Sequence, residues 1–112
     1  MKIEKRQKDD VLILDLKGKI LIGSGIDELR AAINTAIKEG NTNLLLNFKE
    51  VPYLDSTGLG EVVRTYTSAK NAGGMVKIIN LTQKVQDLLS VTKLITVFDT
   101  FEDEDKAVES FK

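Results

Sequence analysis

A chain of 112 residues, 42% hydrophobic and 29% charged, suits one packed domain and leaves too little for two independent cores. It contains no Cys and no His, which excludes a disulfide framework, a thiolate metal site, a cysteine nucleophile and the commonest general base. A formal net charge of -1 provides no basic field for nucleic acid.

The N-terminus begins basic at Met1 to Arg6, but Gln7-Lys8-Asp9-Asp10 comes next, where a signal peptide would carry its apolar segment. The longest apolar runs, Val11 to Leu14 and Leu44 to Leu46, fall far short of a membrane span, so a cytoplasmic location without membrane contact is expected. Ile3 to Lys5 reads as a short edge strand that turns at Lys8-Asp9-Asp10 into a strand from Val11 to Leu16. The second strand is almost continuously apolar, as expected when both faces are covered. Gly18 and then Gly23-Ser24-Gly25 punctuate the segment after this strand. Ser24 and Asp27 stand three apart and predict a capping box for a first helix, in which Ile26, Leu29, Ile33, Ala36 and Ile37 recur at helical spacing. Lys38 and Gly40 stop it.

Leu44 to Phe48 predicts the next buried strand, and Lys49 to Leu54, with the lone Pro52, connects it to Asp55. Leu59, Val62, Val63 and Tyr66 mark the core face of a second helix that ends towards Gly73-Gly74. Met75 to Ile79 is a further strand, Thr82 a cap for a third helix carrying Val85, Leu88 and Leu89, and Val97-Phe98 a short last strand. Thr100 and Asp103 predict a second capping box before Ala107, Val108 and Phe111. The alternation implies an α/β domain over residues 1–112. Its sheet is mixed and mostly parallel, with four to five strands and about four helices.

Gly23-Ser24-Gly25 matches neither the P-loop nor the dinucleotide fingerprint, since the required Lys and third Gly are missing. It reads first as a strand-to-helix turn with an N-cap; the alternative is an accessory role in a docking surface, since this turn shares a sheet rim with the Asp55 turn. The richest stretch is Asp55-Ser56-Thr57-Gly58-Leu59-Gly60, which sets two hydroxyls at a helix start, where backbone N–H groups favour anions. Ser56 there is a phosphorylation switch, a nucleophile or a plain cap. A nucleophile needs a base; without His only Asp55 or a lysine is available, and the nucleophile-elbow pattern is absent. A plain cap leaves Gly58 and Gly60 unexplained. Each costs about 1 kcal/mol against Ala inside a helix, so something is expected to approach that backbone closely. Glu102-Asp103-Glu104-Asp105 lacks calcium-loop spacing and reads as a solvated acidic face favouring a helix dipole. No metal, cofactor or catalytic residue is assigned.

The order hairpin, helix, apolar strand, Asp-Ser-Thr-Gly-Leu-Gly, helix, strand, helix resembles the STAS domain, and more narrowly the bacterial anti-sigma-factor antagonists. The resemblance spans nearly the whole chain and is most specific at Asp55 to Gly60. It implies that Ser56 is the phosphorylated serine, Thr57 a secondary target and Asp55 the acidic residue before it. Gly58, Leu59 and Gly60 would begin the docking helix, with Asp55, Ser56, Thr57, Gly23 and Ser24 on the same partner surface. The resemblance also implies a chain that is not an enzyme. Unmodified, it would bind an anti-sigma factor that is also a serine kinase, release a sigma factor, and be restored by a separate serine phosphatase; free, it would be a monomer. The resemblance is expected to be to the free-standing regulators rather than to anion-transporter tails. Phosphorylation would take the net charge from -1 to roughly -3 and switch the interface without melting the helix. Other readings are a ligand-sensing STAS module binding a nucleotide or small anion, a scaffold subunit, or a partner switch with a non-transcriptional output.

Overall fold

In the computed structural model, which describes residues 1–112, apolar runs become sheet strands in the order in which they occur. β1 (Lys2–Lys8) and β2 (Val11–Lys17) form a hairpin, with Asp9 at φ 54° in its turn. Then come α1 (Ile26–Lys38), β3 (Asn43–Glu50), α2 (Ser56–Asn71), β4 (Met75–Ile79), α3 (Gln83–Val91), a 3-10 turn (Leu94–Thr96), β5 (Asp99–Phe101) and α4 (Glu104–Glu109). The five strands lie side by side in chain order. Only β1–β2 is antiparallel; β2, β3, β4 and β5 run parallel.

The register explains the two-sided core. Leu12, Leu44 and Val76 align across the parallel strands, as do Leu14, Leu46 and Ile78. These residues join Leu29 and Ile33 of α1, Leu59 and Val62 of α2, and Val85 and Leu89 of α3 in the larger cluster. The alternate residues Val11, Ile13, Leu45 and Ile79 face the other way, where Ala107 and Val108 of α4 cover them. Period-two alternation thus divides the sheet between three helices on one side and one on the other. No helix is long and apolar enough to cross a membrane.

Several local expectations are corrected. Ser24 does not cap α1: Gly25 occupies that position at φ 96° with no side-chain cap, and a Cβ there would lie 2.3 Å from the Lys19 carbonyl oxygen. Ser24 instead closes a tight turn with Leu21. Val97-Phe98 is not the last strand. Phe98 is buried against Tyr66 in an edge-to-face pair (centroids 5.6 Å apart), and pairing with β4 begins only at Asp99. Thr100 consequently lies in β5, and Asp103 alone caps α4, accepting the Lys106 N–H at 3.0 Å. Thr82 precedes α3 as expected, but its hydroxyl donates to the Val51 carbonyl at 3.0 Å rather than capping the helix.

Candidate functional site at the start of the second helix

The loops leaving β2 and β3 are joined at the carboxyl rim of the sheet. Gly18 N–H donates to Glu50 O (3.0 Å), Ile20 N–H to Tyr53 O (3.2 Å) and Asp55 N–H to Ile20 O (3.3 Å), so Ile20 bridges in parallel to Leu54 beyond the end of both strands. Both side chains are fully buried. The loops therefore form one rigid platform beneath the start of α2.

Gly58 sits on that platform. A Cβ at this position would lie 1.9 Å from the Ile20 carbonyl oxygen, so only glycine allows α2 to seat here. The close approach expected from the two glycines is thus real at Gly58, and what approaches is the chain's own backbone. Gly60 differs: it is exposed, and an added Cβ would meet nothing within 4 Å.

Asp55 is the N-cap of α2. One carboxylate oxygen accepts the Gly58 N–H at 2.7 Å and the other accepts the Ile22 N–H at 3.0 Å. The Ile22 N–H, then the Gly58 N–H, hold its carboxyl below the ordinary aspartate value. An acid held ionised by two backbone donors is a poor proton acceptor for a neighbouring hydroxyl, so Asp55 does not activate Ser56 as a base would.

Ser56 and Thr57 occupy the first two positions of α2, both exposed. The Ser56 hydroxyl makes no hydrogen bond within the chain and stands free above the helix N-terminus. Thr57 instead borders a shallow cleft of about 160 Å³ whose other walls include Ser24, Asp27 and Glu28. Gly23, at φ 76°, and Ser24 lie in the turn beside this cleft, and Leu59 is packed into the core. The structure thus brings Gly23, Ser24 and Asp55 to Gly60 to one rim, with Leu59 facing inward.

Two features carried no signal in the sequence. Ile22, in the same turn, is 74% exposed; an isoleucine in a strand-to-helix connection gives no sign of which way it will face. Glu61 is only 5% exposed and is held by Arg30 of α1, whose Nη2 and Nε donate to one carboxylate oxygen at 2.7 and 3.2 Å. The pair ties α1 to α2 one turn below Thr57, and nothing in helical spacing distinguishes it from surface charge.

The acidic run Glu102 to Asp105 is not simply solvated. Arg6 of β1 donates to both oxygens of Glu104 (3.1 and 2.6 Å), Lys8 pairs with Asp105, and Asp103 is spent on capping. No group of three or more side chains of metal-ligating type forms anywhere in the chain.

Comparison with known proteins gives the family of the fold. Residues 2–107 match the model of the STAS domain. The anti-sigma-B factor antagonist of Bacillus subtilis (strain 168) is 30% identical over 97 residues, 87% of this chain and 87% of that one. The crystal structure of a Thermotoga maritima protein described as a candidate anti-sigma factor antagonist aligns with a TM-score of 0.89 at 23% identity, covering 97% of this chain and 93% of that chain. The Bacillus cell fate determinant SpoIIAA in its phosphorylated form aligns with a TM-score of 0.73 at 19% identity, covering 99% of this chain and 100% of that chain. The fold is that of these neighbours, and the chain belongs to the STAS domain family.

Proposed function

We propose that this chain is an anti-sigma-factor antagonist whose attachment to its partner is switched by phosphorylation of Ser56. The carrying observation is the Ser56 hydroxyl, exposed and unbonded at the first position of α2, while Asp55 and Gly58 beside it are locked into the fold. In the unmodified state it binds an anti-sigma factor with serine kinase activity, which frees a sigma factor in the cytoplasm. The kinase transfers the terminal phosphoryl group of ATP to Ser56 Oγ, and a separate serine phosphatase removes it. The chain itself contributes no catalytic group and no cofactor, and acts as a monomer when free.

The physics supports an interface switch. A phosphate carries about -1.5 to -2 charge at pH 7, and at a helix N-terminus it meets a favourable dipole and open N–H groups. The helix therefore tolerates it. The partner must instead accept a dianion in a desolvated contact, which costs several kcal/mol at roughly tenfold in affinity per 1.4 kcal/mol. SpoIIAA has been solved in unphosphorylated and phosphorylated forms, and the two align with this chain almost equally, at TM-scores of 0.72 and 0.73. A fold kept in both states agrees with a switch that works at the surface. The small-anion reading finds less support, because Asp27 and Glu28 line the cleft beside Thr57.

The test is capture from lysate of the native host with magnesium and ADP, using wild type and Ser56→Asp as baits. Wild type is expected to retain an ATP-binding serine kinase that Ser56→Asp does not. Equal retention by both baits, or no kinase on either, contradicts the proposal.

A further inference from the structure

Ile22 is 74% exposed and yet held in place. Leu21 and Ser24 exchange backbone hydrogen bonds at 2.7 and 2.9 Å, closing the turn with Ile22 and Gly23 at its tip. The Ile22 N–H is tied to the Asp55 carboxylate at 3.0 Å. A mobile loop could fold such a side chain against the surface; this one is fixed outward, joined through one carboxylate to the residue that precedes Ser56. An apolar side chain left in water on a rigid support is surface whose burial would be favourable on contact with another molecule.

The neighbouring charges indicate what would cover it. Asp27 and Glu28 flank the same turn. Asp27 forms no ion pair, and Glu28 has only the chain's own N-terminal amine at 3.4 Å. The other strongly exposed aliphatic residue, Val91 at 80%, lies at the end of α3, where the acid one turn away, Asp87, already accepts a hydrogen bond from Gln83 at 2.7 Å.

We propose that Ile22 is the apolar anchor of the docking surface, entering an apolar pocket of the partner kinase whose rim carries Lys or Arg facing Asp27 and Glu28. In this arrangement Asp55 is a positioning residue: its carboxylate is taken up by the Ile22 and Gly58 N–H groups and sets the distance between the anchor and Ser56. The inference rests on the reading of Ser56 as the switch that governs attachment to a kinase. It goes beyond that reading in assigning the affinity to a residue that phosphorylation does not alter.

The experiment measures affinity for the kinase captured by wild type, purified, with magnesium and ADP present. Ile22→Ser is expected to weaken binding about ten- to hundredfold, the loss of one buried aliphatic side chain. Val91→Ser, equally exposed and elsewhere, is expected to stay within about twofold. Both variants should keep the wild-type circular dichroism, since neither side chain is in the core. Adding Ile22→Ser to Asp55→Ala should cost much less than Ile22→Ser alone, because the anchor is then no longer positioned. If Ile22→Ser binds like wild type while Ser56→Asp does not bind, the anchor is wrong and the switch stands. If wild type captures no kinase, both fall.

Discussion

The α-carbon of Gly58 rests on the carbonyl of Ile20, so that a Cβ would lie 1.9 Å from that oxygen. This contact joins the loop after β2 to the first turn of α2 and determines the height at which Ser56 stands above the rim.

Gly58→Ala must therefore push α2 off its seat, and because the obstacle is backbone, no rotamer change relieves it. We expect a loss of roughly 1–3 kcal/mol of stability, measured by urea denaturation, together with weakened attachment to the kinase. Gly60→Ala should do the opposite to the fold, adding up to about 1 kcal/mol by helix propensity, since nothing lies near its Cβ. Any loss of kinase affinity in Gly60→Ala would then report direct contact at that position.

Acid should loosen the β1–α4 contact. Arg6, through hydrogen bonds, is the main cause holding both Asp15 and Glu104 below their ordinary values. Carboxyl values that are lower in the folded state contribute stability fully present above the ordinary carboxylate range and lost as pH falls through the depressed values. Arg6→Met should remove that part of the acid sensitivity. Because the Arg6 side chain is 43% exposed, solvent screening keeps its cost at pH 7 near 1 kcal/mol. Melting temperatures of both proteins between pH 7 and pH 3 check this: the gap should narrow as pH falls.

Covering the second face of the sheet falls to a six-residue helix, α4. Val108→Asp would place a carboxylate among Val11, Ile13, Leu45 and Ile79 without a partner. A loss of roughly 3 kcal/mol is expected, with increased binding of a hydrophobic dye, while Lys112→Ala at the exposed terminus should leave stability within about 0.5 kcal/mol.

Ser56 and Thr57 are neighbours in different electrostatic surroundings. A phosphate on Thr57 would enter the cleft shared with Asp27 and Glu28, whereas Ser56 opens to solvent above the helix terminus. Phosphopeptide mapping after incubation with the kinase and ATP should place the group on Ser56, and Ser56→Ala should leave Thr57 modified at under about a tenth of the wild-type extent, one decade in selectivity for each 1.4 kcal/mol of repulsion. Equal use of Thr57 would contradict the electrostatic argument.

Much of the fold was legible because burial imposes a period. Met75 to Ile79 forms β4 to the residue, and the apolar runs from Val11 and Leu44 each form a strand. What escaped was decided by contacts distant in sequence. Gly25 displaced Ser24 as the cap because the Lys19 carbonyl leaves no room for a side chain, and Phe98 was drawn from the last strand by Tyr66. At the site, the motif from Asp55 to Gly60 forms the start of α2 at the rim where the sequence set it. That Asp55 divides its two oxygens between Gly58 and Ile22 could not be read, since Ile22 lies thirty-three positions away.

The phosphorylation switch is decided by titrating the purified kinase with this protein in two forms, unmodified and stoichiometrically phosphorylated on Ser56, while recording the circular dichroism of each. Affinity should fall by about a hundredfold or more, corresponding to several kcal/mol, with identical helix content. Equal affinities, or a phosphorylated form that has lost α2, would contradict a switch that acts at the interface.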